Sequence, residues 1–227
     1  MIFPIGDDQV KGGYIPLFSY GFIILNVAVF ILQMQMPEAR LATFVNDYGS
    51  IPFEITHGQD LHTLVTCMFL HGGWMHLIGN MLFLWVFADN IEATVGNFRF
   101  LFFYLIGGLA ATAGHIYFNW DSEIPMVGAS GAISAVMGAY LIMFPASRIK
   151  LLFLIFPFRV SAWLFLGFWA WQQWMSGTAS LEGGVTGVAW WAHIGGFAFG
   201  LLAGFLFRVS GKLTGVELEN DQLQNDR

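Results

Sequence analysis

Ser130 lies between two glycines in Gly128-Ala129-Ser130-Gly131, near the head of an uncharged run over residues 124–144. Small neighbours at Gly128, Gly131 and Ala132 leave its hydroxyl uncrowded. A helix beginning near Ser130 sets the free N–H groups of its first turn beside that hydroxyl, where they favour a developing negative charge. An unassisted hydroxyl is a poor nucleophile, so the chemistry needs a base within hydrogen-bond reach. His193 is the candidate. It lies three residues before Gly196, and Gly196, Gly200 and Gly204 recur at four-residue spacing to make a smooth helix face. Ser130, Ser134 and Gly138 offer a similar face. A close crossing of the two sets the imidazole beside the hydroxyl, to take its proton during attack and return it to a leaving amine. His76 and Asn80, at i and i+4, stack on one face of another helix. Both donate hydrogen bonds, and with the Ser130 backbone N–H they can hold an oxyanion. A plainer reading stays open: a packing seam of small residues, a histidine bonded to a carbonyl, and a His–Asn pair that glues helices. Function is still the default for an intramembrane histidine, because burying one in lipid is expensive.

The elements that must bring these residues together are membrane spans. Of 227 residues, 56% are hydrophobic and 11% charged, against about a quarter charged in a soluble domain, and the mean hydropathy is +0.64. The net charge of −6 gives no argument for nucleic acid. A single cysteine, Cys67, excludes an internal disulfide and a cysteine metal cluster. His57, His62 and His115 match no metal spacing, so no metal or cofactor is implied. Residues 1–13 lack the basic start of a cleaved signal, which makes the first apolar stretch a retained span. Six uncharged or nearly uncharged stretches follow, over residues 17–36, 61–88, 98–118, 124–144, 160–175 and 188–207. Residues 38–60 read as a polar connection with turns, 151–158 as an interfacial stretch flanked by cations, and 176–187 as a Gly-rich loop. With the N-terminus inside, eight of the nine Lys and Arg face the cytoplasm and only Arg40 lies outside. Ser130 and the early parts of the second and sixth spans then share the outer half of the membrane. No Asp or Glu sits there to orient His193, so the machinery is a Ser–His dyad.

Gly-Ala-Ser130-Gly, Ala-His193-Ile-Gly-Gly-Phe-Ala-Phe-Gly and Phe-Leu-His71-Gly-Gly-Trp-Met-His76-Leu-Ile-Gly-Asn80-Met resemble, in order and span position, the three signature motifs of rhomboid intramembrane serine proteases. The resemblance covers about residues 17–208. It implies an all-α, polytopic six-helix bundle with a water-accessible site open to the outer face. It implies Ser130 as nucleophile, His193 as base, His76 and Asn80 at the oxyanion, and Gly128 as a site-shaping glycine beside Gly131. His71 matches a structural histidine and Glu92 an acidic brace at the cytoplasmic end of the second span. The loop at 176–187 would cap the site. Two departures stand out. His62-Thr63 replaces a Trp-Arg pair, which leaves the anchoring of the first loop open. Ser134 replaces a tyrosine that stacks on the catalytic histidine in some members, so something else must position His193.

The chain divides into a short cytoplasmic N-terminus (1–16), the membrane domain (17–208) and an acidic tail (209–227). The leading expectation is an endopeptidase that cuts transmembrane segments of single-span membrane proteins near the outer face of a bacterial plasma membrane. The rivals are a catalytically silent, client-binding relative and a six-span transporter. A transporter is expected to show paired acidic residues at mid-membrane or repeated halves, and the sequence has neither.

Overall fold

Six of the described helices have 14 residues or more: α1 (Leu17–Met34), α5 (Trp74–Val95), α6 (Asn97–Phe118), α7 (Ser130–Met143), α8 (Ala162–Ser180) and α9 (Trp190–Val209). The computed structural model describes residues 2–181, 187–210 and 217–218. By length and composition α1, α6 and α9 can each cross a membrane, and α7 is a shorter apolar helix of 14 residues. α5 and α8 are interrupted by polar groups, His76, Asn80, Asp89, Asn90 and Glu92 in one, Gln172, Gln173 and Ser176 in the other.

α7 is the centre of the bundle, buried along nearly its whole length. It crosses α9 at backbone contact. A Cβ at Gly204 would lie 2.7 Å from Cα of Ala139, and one at Gly196 or Gly200 would run into the carbonyls of Gly131 or Ala135. Gly138, from the stripe that spacing suggests, has no room for a Cβ against the Phe197 carbonyl of α9, and α9 also lies on the backbone of Gly131, Ala135 and Ala139. Ser130, the first residue of α7, stands at the end of this seam.

The polar connection at 38–60 contains two helices, α2 (Glu38–Tyr48) and α3 (Pro52–Thr56). The stretch at 61–88 is not one helix. A short α4 (Thr63–Thr66) and a 3-10 turn at Cys67–Phe69 precede an extended Leu70, and α5 starts only at Trp74. The first connection is anchored by small polar groups. His62 Nε2 bonds the Asp47 carbonyl at 3.0 Å, and Thr66 Oγ1 donates to the Tyr48 carbonyl at 2.8 Å. Residue 63, a Thr, donates to the Asp60 carbonyl at 2.7 Å. His62 and Thr66 thus do locally what a Trp-Arg pair was expected to do.

The chain is mostly helical, as expected, and adds a small sheet that the sequence did not reveal. Residues 148–161 form a hairpin of β3 (Arg148–Phe153) and β4 (Phe156–Ser161), and β1 (Ile2–Gly6) adds a third strand in the order β1-β3-β4. A two-residue strand β2 (Val10–Lys11) pairs with β5 (Glu217–Leu218). The hairpin has a period of two: Ile149 and Leu151 are buried while Arg148 and Lys150 face out. Its tip, Leu154 and Ile155, is 69% and 79% exposed, in keeping with an interfacial stretch. Of the loop expected at 176–187, residues 176–180 are the end of α8 and 182–186 lie outside the described residues, as do 211–216 and 219–227 of the tail.

Carboxylates organise the end of the bundle opposite Ser130. Glu92, fully buried on α5, accepts from the backbone N–H of Phe18 (2.8 Å) and Ser19 (2.7 Å) and from the Ser19 hydroxyl (2.6 Å). It caps the N-terminus of α1 from a neighbouring helix, using the unpaired N–H groups that every helix start presents. Asp8 accepts from the Arg148 N–H at 2.8 Å and pairs with Arg159 at 3.4 Å, tying the N-terminal segment to the hairpin. Asp7 accepts from the Tyr140 hydroxyl and from Asn90 Nδ2.

Burial, reinforced by the charge of Asp89, pushes the Asp7 carboxyl up from 3.8 to about 7, against hydrogen bonds from Tyr140, Gln9 and Asn90 that pull it down. Below about pH 4 both folded and unfolded chains hold this proton, and its contribution to stability is complete. Between about pH 4 and 7 the unfolded chain releases it while the folded chain keeps it, so stability falls with rising pH and levels off above 7. Asp7→Asn is expected to remove this slope. The measurement is the thermal midpoint in detergent across that window, wild type against variant; parallel curves refute it.

Candidate active site

Four polar side chains from three helices meet at the N-terminal end of α7. Ser130 is the first residue of that helix, so its backbone N–H has no intrahelical partner. The segment leading into it is fixed from two sides. Gly128 N–H donates to the Cys67 carbonyl at 2.9 Å, and Ser50 and Met126 exchange backbone bonds of 3.0 and 2.9 Å. The first connection thereby clamps the turn from which the serine projects.

His193 Nε2 lies 2.8 Å from Ser130 Oγ. The pair that spacing brought to adjacent helix faces is thus in hydrogen-bond contact, across the seam where Gly196 lets α9 approach the α7 backbone. His193 Nδ1 lies 2.8 Å from Oε1 of Gln173 on α8. The ring also sits between two indoles, Trp169 and Trp190, each with its centroid 6.1 Å away. Ser134 does not reach the imidazole; its hydroxyl donates back to the Ser130 carbonyl at 2.6 Å.

His76 and Asn80 face the backbone at Gly128. A Cβ built there would stand 2.7 Å from His76 Nε2 and 3.6 Å from Asn80 Nδ2, and Gly128 has φ of +127°, a conformation that side-chain-bearing residues rarely adopt. His76 Nδ1 accepts from the Gly72 N–H at 3.3 Å. In the neutral ring that leaves the proton on Nε2, the nitrogen turned toward Gly128. Asn80 Nδ2 donates to His71 Nε2 at 3.0 Å and keeps a second N–H. His71 is itself held by Gln33 on α1, which donates to its carbonyl (3.2 Å) and accepts from its N–H (3.1 Å). A cavity of about 10 Å³ beside Ser130, lined by Cys67, Thr112, Met126, Gly128 and Ala192 among others, has room for about one water.

Gly131 lines the same cavity as Ser130 and also faces α6. Its missing Cβ would stand 2.6 Å from Cβ of Ala111, so its smallness seats α7 against α6. Gln33 and Gln173 are the two site residues that the sequence reading missed. Each is a buried amide in an apolar helix, 2% and 4% exposed, and polar groups at such places are costly unless bonded. That cost was the available signal.

The Rhomboid domain family matches residues 58–210. The mitochondrial Rhomboid protein 1 of Saccharomyces cerevisiae is 30% identical over 193 residues, 82% of this chain and 52% of its own length. RHOMBOID-like protein 4 of Arabidopsis thaliana is 30% identical over 217 residues, 83% of this chain and 52% of its own. Rhomboid protease GluP of Bacillus subtilis is 32% identical over 134 residues, 59% of this chain and 26% of its own. The chain spans about half the length, or less, of these curated relatives.

Proposed function

This chain belongs to the rhomboid family, and we propose that it is an intramembrane serine endopeptidase in which Ser130 is the nucleophile and His193 the base. The observation that carries the reading is the 2.8 Å contact between His193 Nε2 and Ser130 Oγ at the start of a helix. Ser130 Oγ attacks the scissile carbonyl of a membrane-protein substrate as His193 Nε2 takes its proton. The oxyanion is received by His76 Nε2–H, Asn80 Nδ2–H and the Ser130 backbone N–H. Protonated His193 then gives its proton to the departing amine. Water enters the acyl-enzyme by the same base and releases the new carboxyl group. No metal or cofactor takes part.

Six helices cross the bilayer, with both termini inside and the site opening outward, in the orientation that eight of nine cations favour. A substrate's peptide bonds are shielded while helical in lipid, so small and helix-destabilising residues at the cut favour hydrolysis. A bacterial plasma membrane is the proposed location. A catalytically silent, client-binding role is the second reading, and it needs neither a serine nor a histidine at this spacing.

A fluorophosphonate that traps activated serines separates the two readings. Wild-type protein in detergent is expected to label at a single site, with labelling lost in Ser130→Ala. Labelling that survives the substitution, or no labelling of the folded wild type, overturns the protease reading.

A further inference from the structure

We propose that Gln173 on α8 is the positioning residue for His193, completing a Ser130–His193–Gln173 relay that ends in an uncharged amide. The inference rests on the protease reading above. Two hydrogen bonds of 2.8 Å leave the imidazole in opposite directions, Nε2 toward Ser130 Oγ and Nδ1 toward Gln173 Oε1. A neutral imidazole carries one proton on its two nitrogens, and the partner of one nitrogen decides the state of the other. A carbonyl oxygen can only accept. It therefore holds the proton on Nδ1 and leaves the Nε2 lone pair aimed at the hydroxyl, the one tautomer in which His193 can act as a base.

Gln173 is 4% exposed, and no carboxylate bonds His193 among the described residues. Trp169, one turn before Gln173 on α8, also lies over Phe197, with centroids 5.6 Å apart, so the amide and the indole fix the ring from the same helix. An amide supplies orientation without a full negative charge. Its contribution lies in the tautomer and the angle of the ring, with less stabilisation of the imidazolium than a carboxylate would give. The device also replaces the tyrosine stack that Ser134 cannot provide.

The test reads the tautomer directly. In ¹⁵N-histidine-labelled protein in micelles at neutral pH, His193 is expected to show a protonated Nδ1 and an unprotonated Nε2. Gln173→Met keeps length and apolar bulk but removes the acceptor; it is expected to mix the tautomers and to lower kcat about 10–100-fold with little change in KM. Gln173→Glu restores an acceptor oxygen at the same reach and is expected to recover most of that loss, which shows that the methionine variant fails for want of a bond and not of a fold. A wild-type spectrum with the proton on Nε2, or full kcat in Gln173→Met, overturns the proposal. The spectrum is read on the resting protein, so it stands or falls separately from the Ser130→Ala labelling experiment that tests the protease reading.

Discussion

Ser130→Ala and His193→Ala are each expected to lower cleavage of a single-span substrate in reconstituted vesicles by about 10⁴-fold or more, and the double variant to fall no further. The reason is that the two act as one group. A serine hydroxyl without a proton acceptor attacks a carbonyl only feebly, and an imidazole without the hydroxyl has no attack to assist. Each single change therefore removes the whole covalent route. What survives is the oxyanion pocket and substrate binding, which both variants share. KM is expected to move little, because neither side chain binds substrate more tightly in its ground state than in its transition state. Rates are compared in proteins of matched thermal midpoint. Ser130 stands at the end of the α7–α9 seam and His193 is anchored by α9, so truncating either leaves the buried small-residue contact intact. Independent, multiplying losses, or a Ser130→Ala variant that still cleaves at a tenth of the wild-type rate, would show that the nucleophile lies elsewhere.

The site was more legible in the sequence than the fold. Ser130, His193, His76 and Asn80 stood out because polar groups in apolar spans are rare and their four-residue spacings fix which share a face. The α7–α9 contact was legible in part: Gly138 of the predicted stripe packs on the Phe197 carbonyl, while Gly196 and Gly200 admit the carbonyls of Gly131 and Ala135, which spacing alone does not name. Partners without a motif were also out of reach. Gln173 sits on a helix whose pattern is dominated by tryptophan and phenylalanine, and nothing local says which nitrogen of which histidine it meets.

The missed elements share one physical cause. The hairpin at 148–161 alternates over only a few residues, and the strand that stabilises it, β1, comes from the far end of the chain. Long-range pairing of that kind has no signature in a local window. The second stretch looked like one span because Thr63–Phe69 and α5 are both rich in apolar residues. At their division Gln33 binds both backbone groups of His71, a contact 38 residues away, next to Gly72 and Gly73. Helix ends at α6 and α9 were legible, by contrast, because polar residues or glycines stop the apolar run there.

Gly128→Ala is expected to cost about 10²–10³-fold in kcat. A β-carbon at this position has nowhere to go. It would stand 2.7 Å from Nε2 and 2.8 Å from Cε1 of His76, and the backbone conformation at φ of +127° resists any side chain. The cheapest relief is for the imidazole of His76 to swing away, since among the described residues it is held by the Gly72 N–H on Nδ1 at 3.3 Å and by an edge contact with the His71 ring. That motion carries off a donor proposed for the oxyanion while leaving Ser130 and His193 in contact. Gly204→Ala is the control. Its Cβ would stand 2.7 Å from Cα of Ala139, far along α7 from Ser130, so it is expected to lower the thermal midpoint while each folded molecule turns over at the wild-type rate. Gly128→Ala combined with His76→Ala separates collision from strain. If the clash acts by displacing the donor, the pair is no slower than His76→Ala alone, because the ring that would have been struck is gone. Additive losses would mean that Gly128 serves the nucleophile's own backbone and not the oxyanion donor.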